Sequence, residues 1–219
     1  MSEQEASVSY QTYKERSRTG GYYRQPNNFG EEGVDHININ INSKTRLGML
    51  FDPSYCKKIY YPGIGSFNSV SSLWYWLKSK TLDDRIRTLR RVMLVNHIRD
   101  NADNFYHRVP NFKAIIGQAT WIKVTTDPKA RALIKELPDD VKFLSYHTLA
   151  STKLRICSNY ANLMVDVCTE IVTAVKQDRE PDFTKFCDHA VHEKLGFLEG
   201  IFKKHFSETQ LQELIDSLS

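Results

Sequence analysis

The chain has 219 residues, 41% of them hydrophobic, with 7 prolines and 10 glycines, which fits one globular domain of fair size, or one domain with an arm. No apolar run approaches the roughly 18 residues of a membrane helix, and the start, MSEQEASVSYQ, is polar where a signal peptide would be apolar, so a soluble cytoplasmic protein is expected. The formal net charge is only +4. It is unevenly spread: KSKTLDDRIRTLRR, residues 78–91, carries six basic against two acidic residues and accounts for all of it.

Residues 1–33 are polar, glycine-bearing and dotted with tyrosine, without a helical or strand period, and read as a flexible arm ahead of a single domain over 34–219. VDHINININ, residues 34–42, then alternates, with Ile37, Ile39 and Ile41 on one face and asparagines on the other. CKKIYY, residues 56–61, ends at Pro62 and Gly63 and supplies a second short strand. These two are expected to pair as a small N-terminal sheet.

From residue 69 onward the pattern is helical. Ser69 is the expected N-cap of a helix over 70–79, and Leu82, Ile86, Leu89, Met93 and His97 recur at three- and four-residue steps in the next segment. Pro110 makes FYHRVPNF a loop or a break between short helices. Asp127 and Pro128 have the form of an N-cap and a first helical residue. The strongest helical signal runs from Leu154 to Lys176, with Ile156, Tyr160, Leu163, Val167, Ile171 and Val175 on one stripe. Two more helices are expected, over 182–206 and, behind a capping box of Ser207 and Gln210, over 208–218. The fold class that results is a mainly helical α+β domain, a small sheet followed by about six helices.

The four cysteines, Cys56, Cys157, Cys168 and Cys187, form no CxxC pair, so neither a zinc knuckle nor a disulfide framework is indicated. Cys157 and Cys168, eleven residues apart, fit one buried stripe of the long helix. His189 and His192 lie at i and i+3 in CDHAVHE, but the HExxH order is absent and a solvated helix face is the simpler reading. His97 falls on an apolar stripe and reads as a hydrogen-bonded core residue, while His107 and His147 have no recognisable nucleophile beside them. No metal is expected.

The densest chemical signal is GSFNSVSSLWYWLKSK, residues 65–80. An aromatic run in a helix is more often core than ligand site. Here, however, it follows the glycine-bearing turn YPGIG and empties into the basic stretch, an arrangement that could stack a base and hold a diphosphate. The basic stretch has its own plain reading as a solvated helix face.

This stretch resembles the signature of the NADAR superfamily, the YbiA-like proteins associated with ADP-ribose. That pattern runs as a glycine, an aromatic residue, any residue, Ser or Thr, Val or Ser, then Glu-His, a hydrophobic residue, an aromatic residue, Gln, two small residues and Lys. Phe67, Ser69, Val70, Trp74 and Lys78 match it in place. ININSKTRLGMLF, DPKARALIKELP and NLMVDVCTEI are similar to further segments of the family, so the resemblance spans roughly residues 37–176, with 177–219 as a helical extension. It implies recognition of ADP-ribose, or an NAD-like ligand, through Phe67, Ser69, Trp74, Trp76, Lys78, Arg85 and Arg87, with no bound cofactor. The implied partners are ADP-ribosylated nucleic acid and an ADP-ribosyltransferase toxin, as in a phage protein that counters host defence.

Two departures bear on catalysis. Ser71 and Ser72 stand at the family's Glu-His positions, and FLSYHTLASTKL occupies the place of its Trp-Gly-Asp-Gly loop. Glycoside cleavage needs a carboxyl group to protonate the leaving group or activate water, and a serine hydroxyl does not replace it. Asp84 is the nearest substitute, although Asp83 and Asp84 also read as the start of the next helix. The alternative function is a non-enzymatic interaction protein that binds an acidic protein or nucleic acid through residues 78–91.

Overall fold

The computed structural model describes residues 30–105, 111–150, 155–157, 161–186 and 209. The architecture is α+β and mainly helical. Two compact units divide the chain, one from residues up to Asp52 together with Glu136–Thr169, the other from Pro53–Lys135 and from Glu170 onward.

The first unit is built on two strand pairs. Strand β1 (His36–Asn38) runs parallel to β4 (Lys142–Leu144), with Ile37 opposite Phe143, and β5 (Tyr146–Thr148) runs antiparallel to β6 (Arg155–Cys157), with Tyr146 opposite Cys157. Between β1 and the rest lies α1 (Arg46–Phe51), capped by Thr45, whose hydroxyl accepts from Gly48 N. Leu47, Leu50 and Phe51 of α1 and Ile37, Ile39 and Phe143 of the strands are buried, with the Phe51 and Phe143 rings edge to face at 5.8 Å.

The second unit starts from a hairpin, β2 (Ile59–Tyr61) and β3 (Gly65–Phe67), turned by Gly63 and Gly65, both with positive φ. Helices α2 (Val70–Lys78), α3 (Arg85–Thr88), α4 (Arg91–Asp100), α5 (Phe112–Thr125) and α6 (Ala130–Lys135) follow. Helix α5 packs on β2 and α2, and Tyr61 seals the contact by donating its phenol to Gln118 Oε1 at 2.7 Å. The chain passes from the first unit into the second within a long helix, α7 (Ala161–Lys176).

Several sequence expectations are corrected. The two early strands do not pair with each other: 36–38 takes its partner from residues 142–144, and 59–61 from its own hairpin. The long helix does not begin at Leu154, because Arg155–Cys157 is a strand, so Cys157 and Cys168 are both buried but not on one helix. The stripe ending in Met93 and His97 breaks after Thr88, and Met93 faces solvent. Ser69 does cap α2, its hydroxyl accepting from Ser72 N at 3.1 Å. Of the helix expected over 182–206 the described part, 182–186, holds only a 3-10 turn at Thr184–Phe186, and of that over 208–218 only residue 209, helical, is described; His107, His189 and His192 lie outside the described residues. Among the described residues no helix is long and apolar enough to cross a membrane.

Candidate functional site

The residues singled out in the sequence are brought together in the second unit, and they bond chiefly to one another. Phe67 and Trp76 are buried and stack edge to face at 5.5 Å, and Trp74 meets the ring of Phe112 at 4.6 Å and 90°. Arg87 covers that cluster. Its guanidinium lies 4.6 Å from the Phe67 centroid and 4.2 Å from that of Trp76, while Nη1 donates to Ile64 O at 2.8 Å and Nε to Asp84 Oδ1 at 2.6 Å. Asp84 also accepts from the Trp76 indole at 3.3 Å. Lys78 lies over the rings of Trp74 and Phe112, and burial pulls its ammonium below the usual lysine range. Arg85 is exposed and grips Asp83 through both carboxylate oxygens; the same carboxylate takes His97 Nε2 at 3.2 Å.

The hydroxyl of Ser72 is fully buried and donates to Leu89 O at 3.1 Å, and Ser71 N donates to Pro53 O. Ser71 and Ser72 thus hold the start of α2 in place. Neither brings a carboxyl group to this helix end, and Asp84 is committed to Trp76 and Arg87.

A different feature has the form of a binding site. In the first unit a cleft of about 570 Å³ is lined by Glu31, Glu32, Asn38, Asn40, Asn42, Lys44, Tyr146, His147, Thr148 and Arg155, a volume within the range of small-molecule pockets. Its wall is the asparagine face of β1 and the residues after it. The strand expected over 34–42 ends at Asn38; Asn40 and Asn42 lie on the bend and turn that follow, Asn42 N donating to Asn40 Oδ1 at 2.9 Å, while Ile37 and Ile39 are buried.

The wall is fastened to β5 through a single residue. Asn38 accepts from Tyr146 N with Oδ1 and donates to Tyr146 O with Nδ2, and Asn40 Nδ2 donates to the same carbonyl at 3.0 Å. Glu32 is fixed at the rim, its Oε1 accepting from Ser43 Oγ at 2.6 Å and from Lys44 N at 2.7 Å. Arg155 reaches across from β6, donating to Gly30 O at 3.1 Å and covering the Tyr146 ring at 5.2 Å. Behind the cleft the Tyr146 phenol and the buried His36 Nε2 share a hydrogen bond at 2.9 Å, and His36 Nδ1 has no partner among the described residues. Burial, then the charge of Arg155, pushes the His36 imidazole below its usual value, and burial does the same to His147.

The sequence shows the asparagine face but gives it no role; the signal for one is three amides, each with donor and acceptor groups, within five residues. Arg155 and His147 had no such signal, because only the β5–β6 pairing carries them to the asparagine wall. Among the described residues no group of His, Cys, Asp or Glu is placed to hold a metal ion. No family model, no curated protein and no solved structure matches the chain.

Proposed function

We propose that the protein is a binding protein for ADP-ribose or an ADP-ribosylated target, and that the cleft between the asparagine wall and β5–β6 is where the ligand is held. The carrying observation is the chemistry of the lining: the amides of Asn40 and Asn42, two carboxylates, an ammonium and a guanidinium, beside Asn38, whose amide is held by Tyr146. Amides and carboxylates bond ribose diols, and Arg155 and Lys44 supply the cationic donors that a diphosphate takes. The NADAR-like pattern of residues 37–176 supports the same ligand class, and Tyr146, His147 and Thr148 of the cleft belong to FLSYHTLASTKL, the segment at the place of that family's Trp-Gly-Asp-Gly loop.

Ser71 and Ser72, at the positions of the NADAR-like Glu-His pair, lie on α2 of the second unit and bring no carboxyl group to the cleft, whose own carboxylates are Glu31 and Glu32, the latter tied to Ser43 and Lys44 N. Sequestering an ADP-ribosylated target, or blocking the toxin that makes it, is the role that fits.

The test is calorimetric titration of ADP-ribose into the full chain. Binding in the micromolar range is expected, weakened at least about tenfold by Arg155→Ala and unchanged by Lys78→Ala. Absence of heat at about 1 mM ligand overturns the proposal. Loss of binding in Lys78→Ala with Arg155→Ala unaffected moves the ligand to α2. Release of free ADP-ribose from ADP-ribosylated DNA by the unmodified chain would show turnover and remove the binding-only reading.

A further inference from the structure

The cleft of the first unit is lined by charges of both signs, the carboxylates of Glu31 and Glu32 and the cations of Lys44 and Arg155. A diphosphate taken up there satisfies the cations and leaves two carboxylates beside a dianion. Like charges brought together in a cleft repel, so this lining suits a ligand that carries a positive group as well as a negative one.

The carboxylates are set by the turn ahead of β1. Asp35 Oδ2 accepts from Glu31 N at 2.6 Å, and Asp35 N donates back to Glu31 O at 2.8 Å. Glu32 is half-buried, and Ser43 Oγ and Lys44 N both donate to the same oxygen, Oε1. Its Oε2 makes no hydrogen bond or ion pair with the described residues. Glu31 meets Lys44 Nζ only at 3.9 Å, with both side chains largely in water, and a pair of that kind binds weakly. Arg155 gives Nη1 to Gly30 O and lays its guanidinium over the Tyr146 ring, and no carboxylate among the described residues pairs with it. One cavity therefore holds negative and positive groups that the fold does not join to each other.

We infer that the group joined to the bound ADP-ribose is a cation, the guanidinium of an ADP-ribosylated arginine, an inference that rests on the cleft as the ADP-ribose site. Glu31 and Glu32 receive the guanidinium and Arg155 the diphosphate, so the ribose hydroxyls between them fall to Asn42 and Thr148. A guanidinium is planar, permanently charged and forked, which matches the oxygens of a carboxylate. ADP-ribosylated nucleic acid is the poorer fit. A neutral base leaves both carboxylates without a counter-charge, and the phosphates on either side of it add repulsion. The target class is then a protein modified on arginine.

The experiment is calorimetric titration of the full chain with ADP-ribose, with ADP-ribosyl-arginine and with ADP-ribosyl-guanosine. ADP-ribosyl-arginine is expected to bind at least about tenfold more tightly than either of the others. Glu31→Gln and Glu32→Gln keep the size of the side chain, and a glutamine oxygen at 32 still accepts from Ser43 and Lys44 N, so both variants should melt near the unmodified chain. Each should reduce the preference to about threefold or less, and the double variant should abolish it. The readout is a ratio of two affinities in one protein, which a general loosening of the cleft does not move. Failure of both ADP-ribose and ADP-ribosyl-arginine to bind overturns the cleft as the ADP-ribose site and the inference with it. Binding of ADP-ribose with no preference for ADP-ribosyl-arginine overturns the inference alone. A preference that survives in the double variant overturns it too, since the cation is then held by other groups. Tightest binding of ADP-ribosyl-guanosine overturns it in favour of a modified nucleic acid.

Discussion

The Arg87 guanidinium sits 4.2 Å from the centre of the Trp76 ring while its Nε holds Asp84 Oδ1 at 2.6 Å, and the Trp76 indole bonds that same oxygen. One arginine therefore closes the aromatic cluster from above and fixes the carboxylate that anchors the indole. Arg87→Ala removes a desolvated cation–π contact and leaves Ile64 O without its donor, at a cost of about 2–3 kcal/mol. A fall in melting temperature of roughly 5–10 °C is expected for a chain of this size. Arg87→Lys should recover little of it, because an ammonium lacks the planar fork. An unchanged melting curve for Arg87→Ala would show that the cluster does not depend on its cover.

Glu170 is the comparable point at the other end of the second unit. Its side chain is 3% exposed and accepts from Arg179 at 2.7 Å, from Lys185 and from Asp182 N at 2.8 Å. Burial pushes the carboxyl up, but those three bonds outweigh it and hold the group below the usual glutamate range. Glu170→Gln should cost about 2–3 kcal/mol in urea unfolding, less than a wholly buried pair because Arg179 and Lys185 are partly in water. Faster hydrogen exchange at Asp182 N is the local signature to look for.

Stability should fall on mild acidification. His36 and His147 are held neutral below the usual imidazole value of about 6.5. The unfolded chain takes up protons at those positions before the folded one does. Their contribution is therefore complete above about pH 6.5 and is lost as pH falls toward the lower folded-state values. The melting temperature should drop between pH 7 and pH 5, with a shallower slope in His36→Phe. Glu170, and Asp83, whose carboxyl is held down first by its bonds to Arg85, act in a separate window below about pH 4.5. An identical slope with both imidazoles replaced would place the effect elsewhere.

Gly48 is required by space. A Cβ there would lie 2.2 Å from Asn38 O and 2.2 Å from Ser43 Oγ, and the first of these is backbone that cannot swing away. Gly48→Ala should cost about 2–3 kcal/mol or more by pushing α1 off the asparagine strand. ADP-ribose binding in the cleft should weaken in the same variant, measured below its melting temperature. Full stability with full binding would mean that α1 and the strand are not held in register by this contact.

Local chemistry was legible in the sequence, and long-range pairing was not. Ser69 capping α2 follows from side-chain hydrogen bonding within a few residues, whereas of the strand expected over 34–42 only His36–Asn38 forms, all three residues buried, and the chain turns by residue 41. The partner of β1 lies more than 100 residues away, and nothing in nine residues of alternation says which strand that is. Residues 155–157 show the converse failure: an apolar period that fits a helix gave way to pairing with β5. The aromatic block was visible as a cluster, but its internal commitment was not. That depends on Arg87 returning over Trp76 eleven residues later, across the break between α2 and α3.

The pairing of His36–Asn38 with Lys142–Leu144 has a consequence for the order in which the molecule is made. Residues 53–135 belong to the second unit, so that unit's hairpin and first helices leave the ribosome while β1 and α1 still wait for their strand partner. At 5–20 residues per second the wait is on the order of 5–20 s, long compared with the time a hairpin or helix takes to form. During it the β1 edge and the apolar side of α1 have only each other for cover. The asparagine wall therefore exists as one half of a cleft until β4, β5 and β6 emerge, more than 100 residues later.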